Sequence, residues 1–93
     1  MGDEKKKIAV MVRDRQGEAL RMSLGLILAD DEVTVINVGA PIERNDDNNL
    51  SIESLDMMDS ILFSVNDVDE GFQKINMQDI PLKLVDYDHV LAY

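Results

Sequence analysis

The sequence predicts an α/β fold: a small three-layer domain around a mainly parallel four-stranded sheet, with room for a fifth strand, in the order β-α-β-α-β-α-β. Three observations predict it. Short apolar, β-branched runs alternate with helix-period stretches along the chain. The apolar runs are continuous, as in strands covered on both faces, and do not alternate with polar residues. The 93 residues fit one domain, residues 1–93, and leave no room for two. Right-handed crossovers between such elements place a parallel sheet between helices.

The first strand is Lys7 to Arg13, KIAVMVR, an apolar run with charged flanks. The period then changes. In Gln16 to Ala29, Leu20, Leu24, Ile27 and Leu28 fall at i, i+4, i+7 and i+8, one stripe of a helix that Asp30 and Asp31 end. Gly25 in this helix is expected to allow close approach to the sheet or to a neighbour. Glu32 to Gly39, EVTVINVG, is β-branched and makes the second strand. Ala40 to Asn49 carries Pro, Asn and Asp and reads as a polar loop. Ser51 is a plausible N-cap for a helix to Asp59, with Glu53 in its first turn and Ile52, Leu55 and Met58 as its apolar face. Ser60 to Asn66 is the third strand. Asp67 to Asp79 is acidic and irregular, with a turn at Gly71. Ile80 to Asp86 makes a last helix, where Pro81 is tolerated in the first turn. Asp88 to Tyr93 is the last strand.

Composition narrows the function. Apolar residues make up 45% and aromatics only 4%, with no Trp, so the core rests on Val, Ile, Leu and gap-filling Met. Met22, Met57 and Met58 are the alternative candidates for an oligomer interface. Domains this small bury a limited share of their surface, which favours self-association. Nineteen acidic residues against nine basic give a net charge of −10. That balance disfavours nucleic acid, whose phosphates need a basic face, and anionic membrane surfaces. It fits a soluble cytoplasmic protein. Cysteine is absent, so the chain has no disulfide, thiolate metal site or sulfur nucleophile. The opening MGDEKKKIAVMV reads as a first strand, with neither a signal peptide nor a myristoylation pattern. No segment reaches the length of about 18 apolar residues that a membrane span needs.

In open α/β sheets, ligands bind beyond the carboxyl ends of the strands. Those ends carry Arg13, Asp14 and Arg15, then Gly39 and Ala40, then Asn66 and Asp67, and Tyr93. Arg13, Arg15, Asn66 and Tyr93 are therefore the candidate ligand-binding residues, with an anion as the natural ligand at a helix start. Gln16-Gly17 is no glycine-rich phosphate loop, and Asp14 and Glu18 stand ready to neutralise the arginines. Asp14 and Asp67 do not gather the carboxylates of a phospho-receiver site. His89, the one histidine, reads as a satisfied structural residue. Asn45 to Asn49, NDDNN, lacks the ligand spacing of a calcium loop. No catalytic residues, metal or cofactor are expected, and the chain is read as not an enzyme, since no nucleophile-base pair stands out.

The stretch from Lys7 to Gly39, the Gly71-Phe72 turn after the third strand and the closing LVDYDHVLAY together resemble the DsrE/DsrF/TusD-like sulfur-relay family. The resemblance implies a small α/β domain that assembles into homo-oligomers, or into hetero-oligomers with related small subunits. Some members of that family carry a persulfide on a cysteine after a middle strand. The comparable stretch here, Ser64 to Gly71, has Asn66 and Asp67 and no thiol, so persulfide transfer is not carried over. The expected function is a non-catalytic DsrE-like oligomeric subunit or docking module linked to sulfur metabolism. The alternative is a small-ligand or anion binder at the strand ends.

Overall fold

The computed structural model describes residues 6–29 and 31–93; the readings made of Met1 to Lys5 and of Asp30 lie outside them. Five strands form one sheet in the spatial order β4-β3-β2-β1-β5. They are β1 (Lys7–Val12), β2 (Glu32–Asn37), β3 (Ile61–Ser64), β4 (Gln73–Lys74) and β5 (His89–Ala92), and every pairing is parallel. The helices are α1 (Gln16–Leu28), α2 (Asp46–Met57) and α3 (Ile80–Leu84), with a 3-10 turn at Met77–Asp79 before α3. The expected α/β class is present, and the sheet has the fifth strand and is wholly parallel.

Continuous apolar strands follow from cover on both sides. In β1, Ile8, Val10 and Val12 face α1 and α2, where they pack with Leu20, Val35, Ile52 and Leu55. Ala9 faces the other way and packs with Ile36, Ile75 and Ile80 of the α3 side. β2 lies at the centre of the sheet and is buried along five of its six residues. The α3 side has the thinner cover, because α3 is only five residues long. Pro81 stands in its first turn, as expected, where its missing N–H costs nothing.

Several expectations are corrected. The second helix begins at Asp46 and not at Ser51. Asn45 is its N-cap: its side chain accepts a hydrogen bond from the Asn48 N–H at 2.8 Å. Asp46 and Asp47 occupy the first turn, where the helix dipole favours acids. Residues 46–49, read as loop, are helix, and Ser51 is buried inside it. The irregular stretch 67–79 contains β4 and the 3-10 turn. Its turn at Gly71 is present, with φ +85°, the left-handed region that glycine enters at least cost. On α1, Leu20 is fully buried and Leu24 and Ile27 are partly so, but Leu28, about 100° round the helix from Ile27, is 76% exposed. Gly25 makes no close approach to the sheet, since a Cβ there would meet nothing within 4 Å. Met58 is exposed where the apolar stripe of α2 predicted burial. Met22, Met57 and Met77 are exposed too, so the methionines are not mainly core filler. His89, read as a satisfied structural residue, is exposed on β5, at one end of the sheet.

Candidate functional site

The carboxyl end of the sheet is built from three loops that hold one another. Asn37, the last residue of β2, is fully buried. Its amide nitrogen donates to the Ala40 carbonyl at 2.9 Å and to Asp69 Oδ2 at 2.8 Å, and its oxygen accepts from the Gly39 N–H at 3.1 Å. Ser64, the last residue of β3, donates its hydroxyl to Asp69 Oδ2 at 2.5 Å and accepts from the Asn66 N–H at 2.9 Å. Asp69 Oδ1 accepts from the Ile42 N–H at 2.9 Å. One carboxylate thus ties the loop after β2 to the loop after β3. From α1, the Gln16 side chain donates to the carbonyls of Ala40 and Pro41 and accepts from the Glu43 N–H at 2.9 Å, which fastens the same loop from the other side.

Asp69 is only 4% exposed. Burial by itself pushes its carboxyl upward. Hydrogen bonds from Ser64, Asn37 and the Ile42 backbone, with the nearby Arg44 guanidinium, outweigh that and hold the pKa below its ordinary 3.8. Arg44 is itself anchored: it donates to the Glu70 carbonyl at 2.5 Å and lies 5.9 Å from the centre of the Phe72 ring. A group tuned downward that accepts three hydrogen bonds stays charged at neutral pH. General-base chemistry needs the opposite tuning, toward the working pH. The arrangement suits a structural latch. No buried side-chain nitrogen or oxygen among the described residues lacks a hydrogen-bond partner.

Each predicted site residue lies at this end of the sheet, but their polar groups turn to different tasks. The backbone N–H groups of Arg13, Asp14 and Arg15 converge on the Tyr93 carbonyl oxygen at 3.3, 2.9 and 3.0 Å. These three N–H groups just ahead of α1 are therefore engaged by the chain itself. Asn66 donates its side-chain amide to the Gly39 carbonyl at 2.8 Å and braces the β2 loop. Gly39 in turn lies against β1's end: a Cβ there would run into the Arg13 backbone, its carbonyl carbon 3.0 Å away. The Arg13 and Arg15 side chains are exposed, and Arg15 reaches Glu18 at 3.8 Å, the neutralisation read from the sequence. Asp67 pairs with Lys74 at 2.5 Å on the surface. The structure thus joins Arg13, Arg15 and Tyr93 through the backbone and places Asn66 across Gly39 from them.

Sequence reasoning missed Asn37, Ser64 and Asp69. A polar residue closing an apolar strand was the one signal available for the first two; Asp69 sits in an acidic run that carries none. Two open grooves flank α1. One, of about 390 Å³, lies between the starts of α1 and α2 and includes Arg15, Arg21, Glu43 and Asp47. The other, mostly apolar, runs along Arg21, Met22, Gly25 and Tyr93. Among the described residues no helix is long and apolar enough to cross a membrane, and no three His, Cys, Asp or Glu side chains are grouped to hold a metal ion. The chain matches no protein-family model, and no curated protein or solved structure is significantly similar to it.

Proposed function

We propose that the chain is a non-catalytic, DsrE-like subunit or docking module that assembles with copies of itself or with related small subunits. The observation that carries this reading is the apolar surface left open. Met22, Leu50, Met57, Leu82, Val85 and Val90 are all exposed on a 93-residue chain, Met57 by 79% and Val85 by 78%. Single exposed apolar residues are ordinary, but so many of them over so small a domain fit surfaces that another protein covers. Asn37, Ser64, Asn66 and Asp69 at the carboxyl end of the sheet are meanwhile spent on bracing loops. The association with sulfur metabolism rests on the resemblance of Lys7 to Gly39 and of the last strand. Without cysteine the chain has no thiol to hold persulfide, so its part in such a relay is to position partners. Size-exclusion chromatography with light scattering tests the reading: an assembly at micromolar concentration is expected, and a strict monomer across the accessible concentration range would contradict it.

A second reading, an anion or small-ligand binder, draws support from the 390 Å³ groove beside Arg15 and Arg21. Glu43 and Asp47 line the same groove and offset the arginines. A melting-temperature panel of nucleotides and sulfur oxyanions checks it, because a ligand that binds the folded state raises the midpoint. This reading fails if the Arg15→Ala, Arg21→Ala double variant gives the same shifts as the parent.

A further inference from the structure

The strand β5 ends the sheet on the β1 side, and among the described residues nothing pairs with its outer edge. An open edge is a template for another strand, and proteins usually guard it with lysine, proline or a bulge. The strand reads His-Val-Leu-Ala and has none of these guards. The neighbouring acid, Asp88, is exposed, and its carboxylate accepts from the Lys7 N–H of β1 at 2.8 Å.

The pairing pattern shows which backbone groups are free. Tyr93 donates to the Met11 carbonyl at 2.9 Å and accepts from the Arg13 N–H, so Tyr93 turns its backbone toward β1. In a strand, alternate residues turn to opposite sides. Leu91 and His89 therefore also bond toward β1, and Val90 and Ala92 direct their N–H and C=O groups outward. The side chains alternate as well. Leu91 pairs in register with Val10 and packs on the α1 side, while Val90 pairs with Ala9 and faces the α3 side, where it is 44% exposed.

This edge is self-complementary. We propose that a second copy of the chain occupies it, with β5 pairing antiparallel to β5 across a two-fold axis at Leu91. The proposal rests on the subunit reading above and names its joint. With Leu91 on the axis, Val90 of each copy stands opposite Ala92 of the other, and their outward groups close four hydrogen bonds. Leu91 meets Leu91 on the α1 face, and Val90 meets Ala92 on the α3 face, so both faces bury apolar side chains. The sheet then continues through ten strands with neither copy's β5 left open.

The charge near this edge is compatible with a second copy. A chain of net charge −10 repels its own copy. Three of its nine basic residues, Arg13, Arg15 and Arg21, are gathered next to the end of β5, beside Tyr93. β5 itself carries no acid. Asp14 and Glu18 stand among these arginines, so this flank is close to neutral on a chain that is acidic as a whole, and self-repulsion does not oppose pairing there.

Sedimentation equilibrium of the full chain, beside its Val90→Pro and Val90→Lys variants, tests the joint. The Val90 N–H is not used inside one copy, and proline is tolerated on an edge strand where its nitrogen faces solvent. Val90→Pro should thus melt like the parent in dilute solution, yet dimerise more weakly by roughly thirtyfold, from two lost hydrogen bonds per dimer. Val90→Lys places a charge against Ala92 of the other copy and should weaken the dimer comparably. If Val90→Pro fails to fold, Val90→Lys decides. A parent that assembles while neither folded variant changes its dissociation constant overturns the joint and leaves the subunit reading standing. A parent that stays monomeric at its highest soluble concentration overturns both.

Discussion

Replacing Asp69 by alanine is the sharpest probe of the latch at the carboxyl end of the sheet. The substitution removes an acceptor that three donors share: Ser64 Oγ, Asn37 Nδ2 and the Ile42 N–H. The three donors do not suffer equally. Asn37 keeps its second amide proton on the Ala40 carbonyl. The Ser64 hydroxyl can rotate and still accepts from Asn66. The Ile42 N–H is left with no other partner, and a buried orphan donor costs about 1–3 kcal/mol. Adding about 1 kcal/mol for the remaining lost bonds gives a destabilisation of about 3 kcal/mol. In a domain of this size that lowers the melting temperature by roughly 15 °C. Urea denaturation should show the midpoint falling with an unchanged slope. A control, Asp67→Ala, breaks the exposed pair with Lys74 and should leave the midpoint where it was. A loss below about 1 kcal/mol for Asp69→Ala would mean that the loops hold without the carboxylate, and the latch argument would be wrong. The pH dependence adds a second check. The pKa of Asp69 is lowered in the folded chain, so the native state binds this proton more weakly than the unfolded state does. Its stabilisation is therefore present above the ordinary value of 3.8 and fades as pH falls below it. In Asp69→Asn that acid-side loss should disappear at this site, leaving a shallower decline between neutral and acid pH.

Two glycines in different surroundings predict opposite outcomes by thermal melting. Gly39→Ala drives a Cβ into the Arg13 backbone, where no flexible side chain can yield, and should destabilise by about 2 kcal/mol or more. Gly25→Ala adds a Cβ in open space on an exposed helix and should stabilise by about 0.5–1 kcal/mol. Along the same helix, Leu20→Ala should cost about 2–5 kcal/mol because Leu20 is fully buried, whereas Leu28→Ala should be nearly silent.

The order of the main elements was readable because each rests on local pattern. The runs of β1 and β2 and the Leu20-Leu24-Ile27 stripe of α1 declare their period within a few residues. The start of α2 was misread because Asn and Asp serve both loops and helix caps. Asn45 followed by two acids is a cap signature as much as a loop signature, and only the hydrogen bond from Asn48 distinguishes them. Strand β4 has two residues, Gln73 and Lys74, and exists only because β3 offers an edge to pair with. The exposure of His89 follows from β5 lying at the edge of the sheet, which its own sequence does not state. The candidate site was legible in position and not in content. Strand ends located Arg13, Asn66 and Tyr93 correctly at one end of the sheet. That Asn66 spends its amide on Gly39, and that Asp69 is a buried hub, depends on three loops from distant parts of the chain meeting in space.

Whether β5 is a joint between copies is tested most directly by amide hydrogen exchange, followed by NMR at two protein concentrations. Leu91 bonds to β1 within one copy, so its amide should be protected at every concentration. The Val90 and Ala92 amides face outward and should exchange rapidly in dilute solution, then gain protection as concentration rises and the edges pair. Val90 and Ala92 amides that stay fast at high concentration while Leu91 stays protected would show a closed monomer with an idle edge, and would contradict the account.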